Sequence, residues 1–191
     1  MLSAIVRRKL QHNYHCLYVN SEPMVAAMGS YLSAAGVDLE KEIARRSLTL
    51  SSERQHLIDG RHFDIDRMIG SLEGALNQAL KDGFKGLWAS GDMTWEFGPE
   101  DDFSKLIEYE WRLEEFFHAH PQISGVCQYH AETLPRKVIR EGLLVHPGLF
   151  INETLSIINP HYLHPAEFPL DYGNLPEVES ALRLFNSEPI N

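Results

Sequence analysis

Apolar positions along the chain switch repeatedly between a two-residue and a 3.6-residue rhythm, which lays out strands and helices in alternation. Ser3 to Gln11 predicts a helix, Tyr14 to Asn20 (YHCLYVN) a buried strand, and Met24 to Ala35 a helix stopped by Gly36. Asp38 to Arg46 predicts a second short helix and Ser47 to Ser51 a short strand. The best-marked helix is Asp64 to Asp82, where Ile65, Met68, Ile69, Leu72, Ala75, Leu76, Ala79 and Leu80 recur along one face. Asp64 is placed to cap its amides, Phe63 and Met68 stand at staple spacing, and Gly83 suits the left-handed residue that ends it. Lys85 to Ser90 (KGLWAS) predicts a strand that runs into a loop, Gly91 to Trp95. An acidic loop from Gly98 to Asp102 leads to a helix from Phe103 to about His118. A strand over Ile123 to Tyr129, a helix from Pro135 to Leu143 and a last strand within Leu149 to Ile158 follow.

This alternation predicts an α/β fold of three layers, a mostly parallel sheet flanked by helices, over residues 1–165. From Asn159 onward the composition changes, with five of the ten prolines in the last 32 residues. Residues 166–191 are therefore expected to form an extended arm with one short helix over Glu177 to Phe185.

Charge narrows the partners. Seventeen Lys and Arg against twenty-seven Asp and Glu give a net charge of −10, so the field of the molecule repels nucleic acid and anionic lipid. No apolar run reaches the roughly 20 residues of a membrane span and no signal peptide is visible, so a cytoplasmic location is expected. Cys16 and Cys127 each lie in an apolar run and read as buried thiols carrying neither a disulfide nor zinc. The first helix carries Arg7, Arg8 and Lys9 without a nearby acid, a solvated face or a docking patch for an acidic partner.

Several chemistries lack their motifs. There is no phosphate-cradling Gly-x-x-x-x-Gly-Lys-Ser/Thr loop, no Gly-x-Gly-x-x-Gly after a strand and no Gly-x-Ser-x-Gly elbow. ATP and GTP are accordingly not expected to bind, and no cofactor is expected. Ten histidines, including His118, His120, His130, His161 and His164, do not fall at metal-ligand spacings, so no metal site is expected either.

Glu110 stands out. On the helix from Phe103 the apolar stripe runs through Phe103, Leu106, Ile107, Leu113 and Phe117, and Glu110 occupies the stripe between Ile107 and Leu113. A carboxylate aimed at a core is a polar anchor for a small molecule, unless it sits at the stripe's rim or pairs for packing alone. Asp92 and Trp95 follow a central strand at the edge where α/β sheets bind ligands, although a turn cap and a core plug are the plainer readings. Gln128 and Tyr129 end the next strand, and His146-Pro147 follows the next helix. Topology suggests that Asp92, Trp95, Glu110, Tyr129 and His146 converge on one ligand-binding pocket.

The words Gly-Asp-Met-Thr-Trp (91 to 95), Tyr-Glu (109 and 110), Cys-Gln-Tyr (127 to 129) and His-Pro (146 and 147), with Cys-Leu-Tyr-Val (16 to 19) and Asp-Gly-Arg-His-Phe-Asp (59 to 64), resemble the MEDS family. That is the methanogen/methylotroph sensory domain named after the dichloromethane-responsive repressor, and the resemblance covers about residues 3 to 165. It implies a degenerate RecA/KaiC-like fold without nucleotide machinery, acting as a sensory input module and often fused to a kinase or DNA-binding domain. Members of the family usually begin with a strand ahead of the first helix, so this chain is expected to lack that strand or to start late. A bared strand edge would be covered by the tail or by a second subunit in a homo-oligomer. The resulting expectation is a non-catalytic sensory domain that binds a small molecule or a partner such as a kinase or regulator. The alternatives are an enzyme using Asp92 and Glu110 as an acid/base pair and a structural adaptor; a cavity at the carboxylates favours ligand or enzyme, filled packing the adaptor.

Overall fold

The computed structural model describes residues 1–53, 58–59, 62–93, 103–150, 156–159 and 162. Helix α1 (Leu2–Gln11) buries Val6 completely and leads to Asn13, which takes a left-handed turn (φ 63°) into strand β1 (His15–Val19). Helix α2 (Glu22–Ala34) starts with Pro23 in its first turn and stops at Gly36 (φ 82°), the stop the sequence predicts. Helix α3 (Leu39–Ala44) is capped by the Asp38 carboxylate, which accepts the Lys41 amide at 3.1 Å, and gives way to β2 (Leu48–Ser51). A small antiparallel hairpin of β3 (Ile58–Asp59) and β4 (His62–Phe63) precedes the long helix α4 (Ile65–Lys81). Both predicted ends of α4 are present: Asp64 accepts the Arg67 amide at 3.0 Å, Phe63 and Met68 are buried, and Gly83 has φ 87°.

Strand β5 (Leu87–Asp92) follows, then a single 3₁₀ turn (Phe103–Lys105), helix α5 (Leu106–Ala119), strand β6 (Ile123–Gln128) and helix α6 (Arg136–Val145). Strands β7 (Gly148–Phe150) and β8 (Ser156–Ile158) close the described part as an antiparallel pair apart from the main sheet. The single last strand expected within Leu149 to Ile158 is thus a hairpin. The predicted arm over 166–191 and the acidic loop from Gly98 to Asp102 lie outside the described residues.

The main sheet is all parallel in the order β2-β1-β5-β6, with helices on both faces, which is the expected three-layer α/β architecture. On one face, Val6 of α1 and Met28 and Leu32 of α2 pack on Cys16, Tyr18, Leu48 and Trp88. On the other, Met68, Leu72 and Leu76 of α4 and Leu106, Tyr109 and Leu113 of α5 pack on Leu87 and Ile123. Strand parity decides which side chain goes to which face, because successive residues point to opposite sides of the sheet. Strand β5 also runs two residues further than its apolar run predicts. Asp92 pairs with Gln128 in the parallel ladder, so it ends the strand instead of sitting in a loop.

One residue of the first helix departs from its sequence-based reading, and one of the first strand keeps it. Lys9, read as part of a cationic face, reaches across the sheet to donate to Ser124 Oγ at 2.9 Å and lies over the Tyr14 ring. Cys16 is fully buried beside the Val6 carbonyl, and burial pushes its thiol up to about 12. No helix among the described residues is long and apolar enough to cross a membrane.

Candidate functional site

Helix α5 turns Leu106, Tyr109, Glu110, Leu113 and Phe116 into the interior, and Glu110 is only 3% exposed. The stripe reading placed Glu110 correctly but missed Tyr109 and Phe116, which share its buried face. An isolated carboxylate at that depth would cost several kcal/mol, so its partners decide what it is for. Three side chains meet it. Tyr129, just past the end of β6, donates its hydroxyl to Glu110 Oε1. Cys127 Sγ donates to Glu110 Oε2 at 3.4 Å. His146, which caps the C-terminus of α6, brings Nε2 to 3.5 Å from the same Oε2.

Each partner is itself held. Burial and the neighbouring Glu110 keep the Tyr129 phenol well above its ordinary range, so it remains a donor. The Tyr129 and His146 rings meet edge to face at 5.7 Å. His146 Nδ1 lies 2.6 Å from the Gly142 carbonyl, and a carbonyl only accepts, which places a ring proton on Nδ1 and leaves Nε2 facing Glu110. Asn159, buried under the end of α6, donates to the carbonyls of Leu143 and His146, the latter at 2.8 Å. Residues past α6 therefore brace the histidine.

Above this cluster lies a cavity of about 470 Å³, within the range of small-molecule sites. Glu110, Cys127 and His146 form a polar floor and Glu114 adds a second carboxylate to the lining, while Leu113, Phe117 and Leu149 are among its apolar walls. The arrangement can accept or donate hydrogen bonds to one polar group of a mainly apolar guest.

The structure brings Glu110, Tyr129 and His146 into contact but not Asp92, and Tyr129 touches Glu110 without itself lining the cavity. Asp92 shares strand parity with Trp88 and Ser90, and so belongs to the opposite face of the sheet from Cys127 and Glu110. It is buried there and pairs with His130 Nε2 at 2.9 Å. Around it Gln128 donates to Ser90 Oγ at 3.1 Å, and Asn20 donates to the Tyr18 hydroxyl at 3.1 Å. The single pocket with two carboxylates is thereby corrected to two separate polar clusters, and the acid/base pair of Asp92 with Glu110 has no shared space. Trp95 lies outside the described residues. Cys127 is the site residue that sequence reasoning placed in the core; its two-residue spacing from Tyr129 is the signal that puts both on one face.

Residues 1–147 match the family model described as MEDS, the methanogen/methylotroph, DcmR sensory domain. No curated protein and no solved structure matches the chain. The match spans well over half of the 191 residues and takes in Glu110, Cys127, Tyr129 and His146. The chain belongs to the MEDS family of sensory domains.

Proposed function

We propose that this domain senses a small molecule held in the Glu110 cavity and does no chemistry on it. The observation that carries the reading is a buried carboxylate, met by Tyr129, Cys127 and His146, at the floor of a cavity with mostly apolar walls. Such a pocket takes its affinity from apolar contact and its selectivity from one polar anchor. The same cavity is walled by residues of the β7–β8 hairpin, and Asn159 ties the segment after β8 to the end of α6. A guest that displaces Leu149 or Phe150 would move the chain just after the family-matched region, which is a route from occupancy to a partner kinase or regulator.

Native mass spectrometry and thermal melts with a fragment library test this. Fragments bearing one polar group on an apolar body are expected to form one-to-one adducts and raise the melting temperature of the wild type. Glu110→Gln, which keeps the shape of the floor, is expected to lose them. Equal binding to both proteins, or no binding to either, contradicts the proposal.

A further inference from the structure

The donor geometry at the cavity floor points to a metal site: we infer that Glu110, Cys127 and His146 bind a divalent ion of the zinc type. Glu110 Oε2, Cys127 Sγ and His146 Nε2 all lie within 4.8 Å of one another, with Oε2 3.4 Å from the sulfur and 3.5 Å from the nitrogen. A tetrahedral zinc with bonds of about 2.0 Å to O and N and about 2.3 Å to S sets its ligands about 3.3 to 3.6 Å apart. Two of the three edges of such a site are therefore already in place.

The surrounding bonds leave the right atoms facing inward. Tyr129 occupies Oε1 and leaves Oε2 to the cluster. The Gly142 carbonyl holds the Nδ1 side of His146 and so turns Nε2 toward Oε2. A cation between them would be within reach of both atoms. A backbone carbonyl on the far nitrogen is also the usual support of a ligating histidine. One thiol, one imidazole and one carboxylate suit a borderline-soft ion over magnesium or calcium, which take oxygen ligands. Three protein ligands leave a fourth position, and all three line the cavity. The residues stand 17 and 19 apart in the chain, outside any local metal motif, which is why the sequence predicts no metal here. The site rests on this geometry and not on the small-molecule reading; where both hold, the guest completes the coordination shell.

Binding exchanges the Cys127 thiol proton for the ion and releases it to solvent. The test is titration of chelator-treated protein with Co²⁺, followed by its thiolate-to-cobalt charge-transfer absorption, and back-titration with Zn²⁺. One equivalent is expected to give the band, and zinc to displace it. Cys127→Ser is expected to lose the band, His146→Gln to bind cobalt at least about 100-fold more weakly, and Cys16→Ser to match the wild type. Circular dichroism checks each variant, and His146→Gln decides the matter if Cys127→Ser fails to fold. Absence of the band, its persistence in Cys127→Ser, or unchanged affinity in His146→Gln overturns the inference. Fragment binding by metal-free protein would then keep the pocket while removing the ion.

Discussion

Gly142→Ala is expected to destabilise the domain by about 2 to 4 kcal/mol, the combined cost of overpacking and of a buried carboxylate losing a donor. A Cβ on Gly142 would sit 2.6 Å from Tyr129 Cε1 and 2.7 Å from Cζ. The ring has little room to yield, since its hydroxyl is on Glu110 and its edge is against His146. Either α6 moves off β6 or Tyr129 turns away from the carboxylate. Helix propensity pulls the other way, because alanine in place of glycine inside a helix gains about 1 kcal/mol. The controls are Gly70→Ala and Gly74→Ala in α4, where nothing stands within 4 Å of the new Cβ and stabilisation of about 0.5 to 1 kcal/mol is expected. Urea unfolding of the three variants separates packing from propensity, and a stabilised Gly142→Ala would show that Tyr129 does not lie against α6.

Tyr129→Phe and Glu110→Gln are expected to differ sharply although they cut the same hydrogen bond. Removing the phenol leaves a buried carboxylate oxygen without its donor and is expected to cost about 1 to 3 kcal/mol. Glutamine at position 110 still accepts the Tyr129 hydroxyl and removes the buried charge. Stability is therefore expected to stay within about 1 kcal/mol of wild type or to rise, since a buried carboxylate is itself a cost to folding. On the Glu110→Gln background, Tyr129→Phe is expected to cost less than it does alone. If Glu110→Gln destabilises as much as Tyr129→Phe, the carboxylate is a packing element and not an anchor kept for a guest. Thermal melts of the two single variants and the double variant complete the cycle.

The layered fold was legible because each element carries its own signals. Capping by Asp64, the left-handed Gly83 and the apolar face of α4 are local, and so is the stripe that singles out Glu110. The two separate clusters were less so. Parity within a strand is written in the sequence, and it groups Asp92 with Trp88 and Cys127 with Tyr129. Which face each group takes depends on the pairing of Asp92 with Gln128 and on where α5 and α6 dock, and both are settled by tertiary packing. The brace from Asn159 to His146 is likewise non-local, and the hairpin of β7 and β8 offers only three residues per strand for any periodicity.

On the proposed reading, the cavity above Glu110 holds a small molecule. Soaking crystals of the domain with the fragment library tests it most directly. Fragment density is predicted between α5, the end of β6 and the end of α6, with a polar atom directed at Glu110, Cys127 and His146 and an apolar body against Leu113 and Phe117. Fragments found only near Asp92 and His130, with the Glu110 cavity filled by the protein's own side chains, would contradict the account.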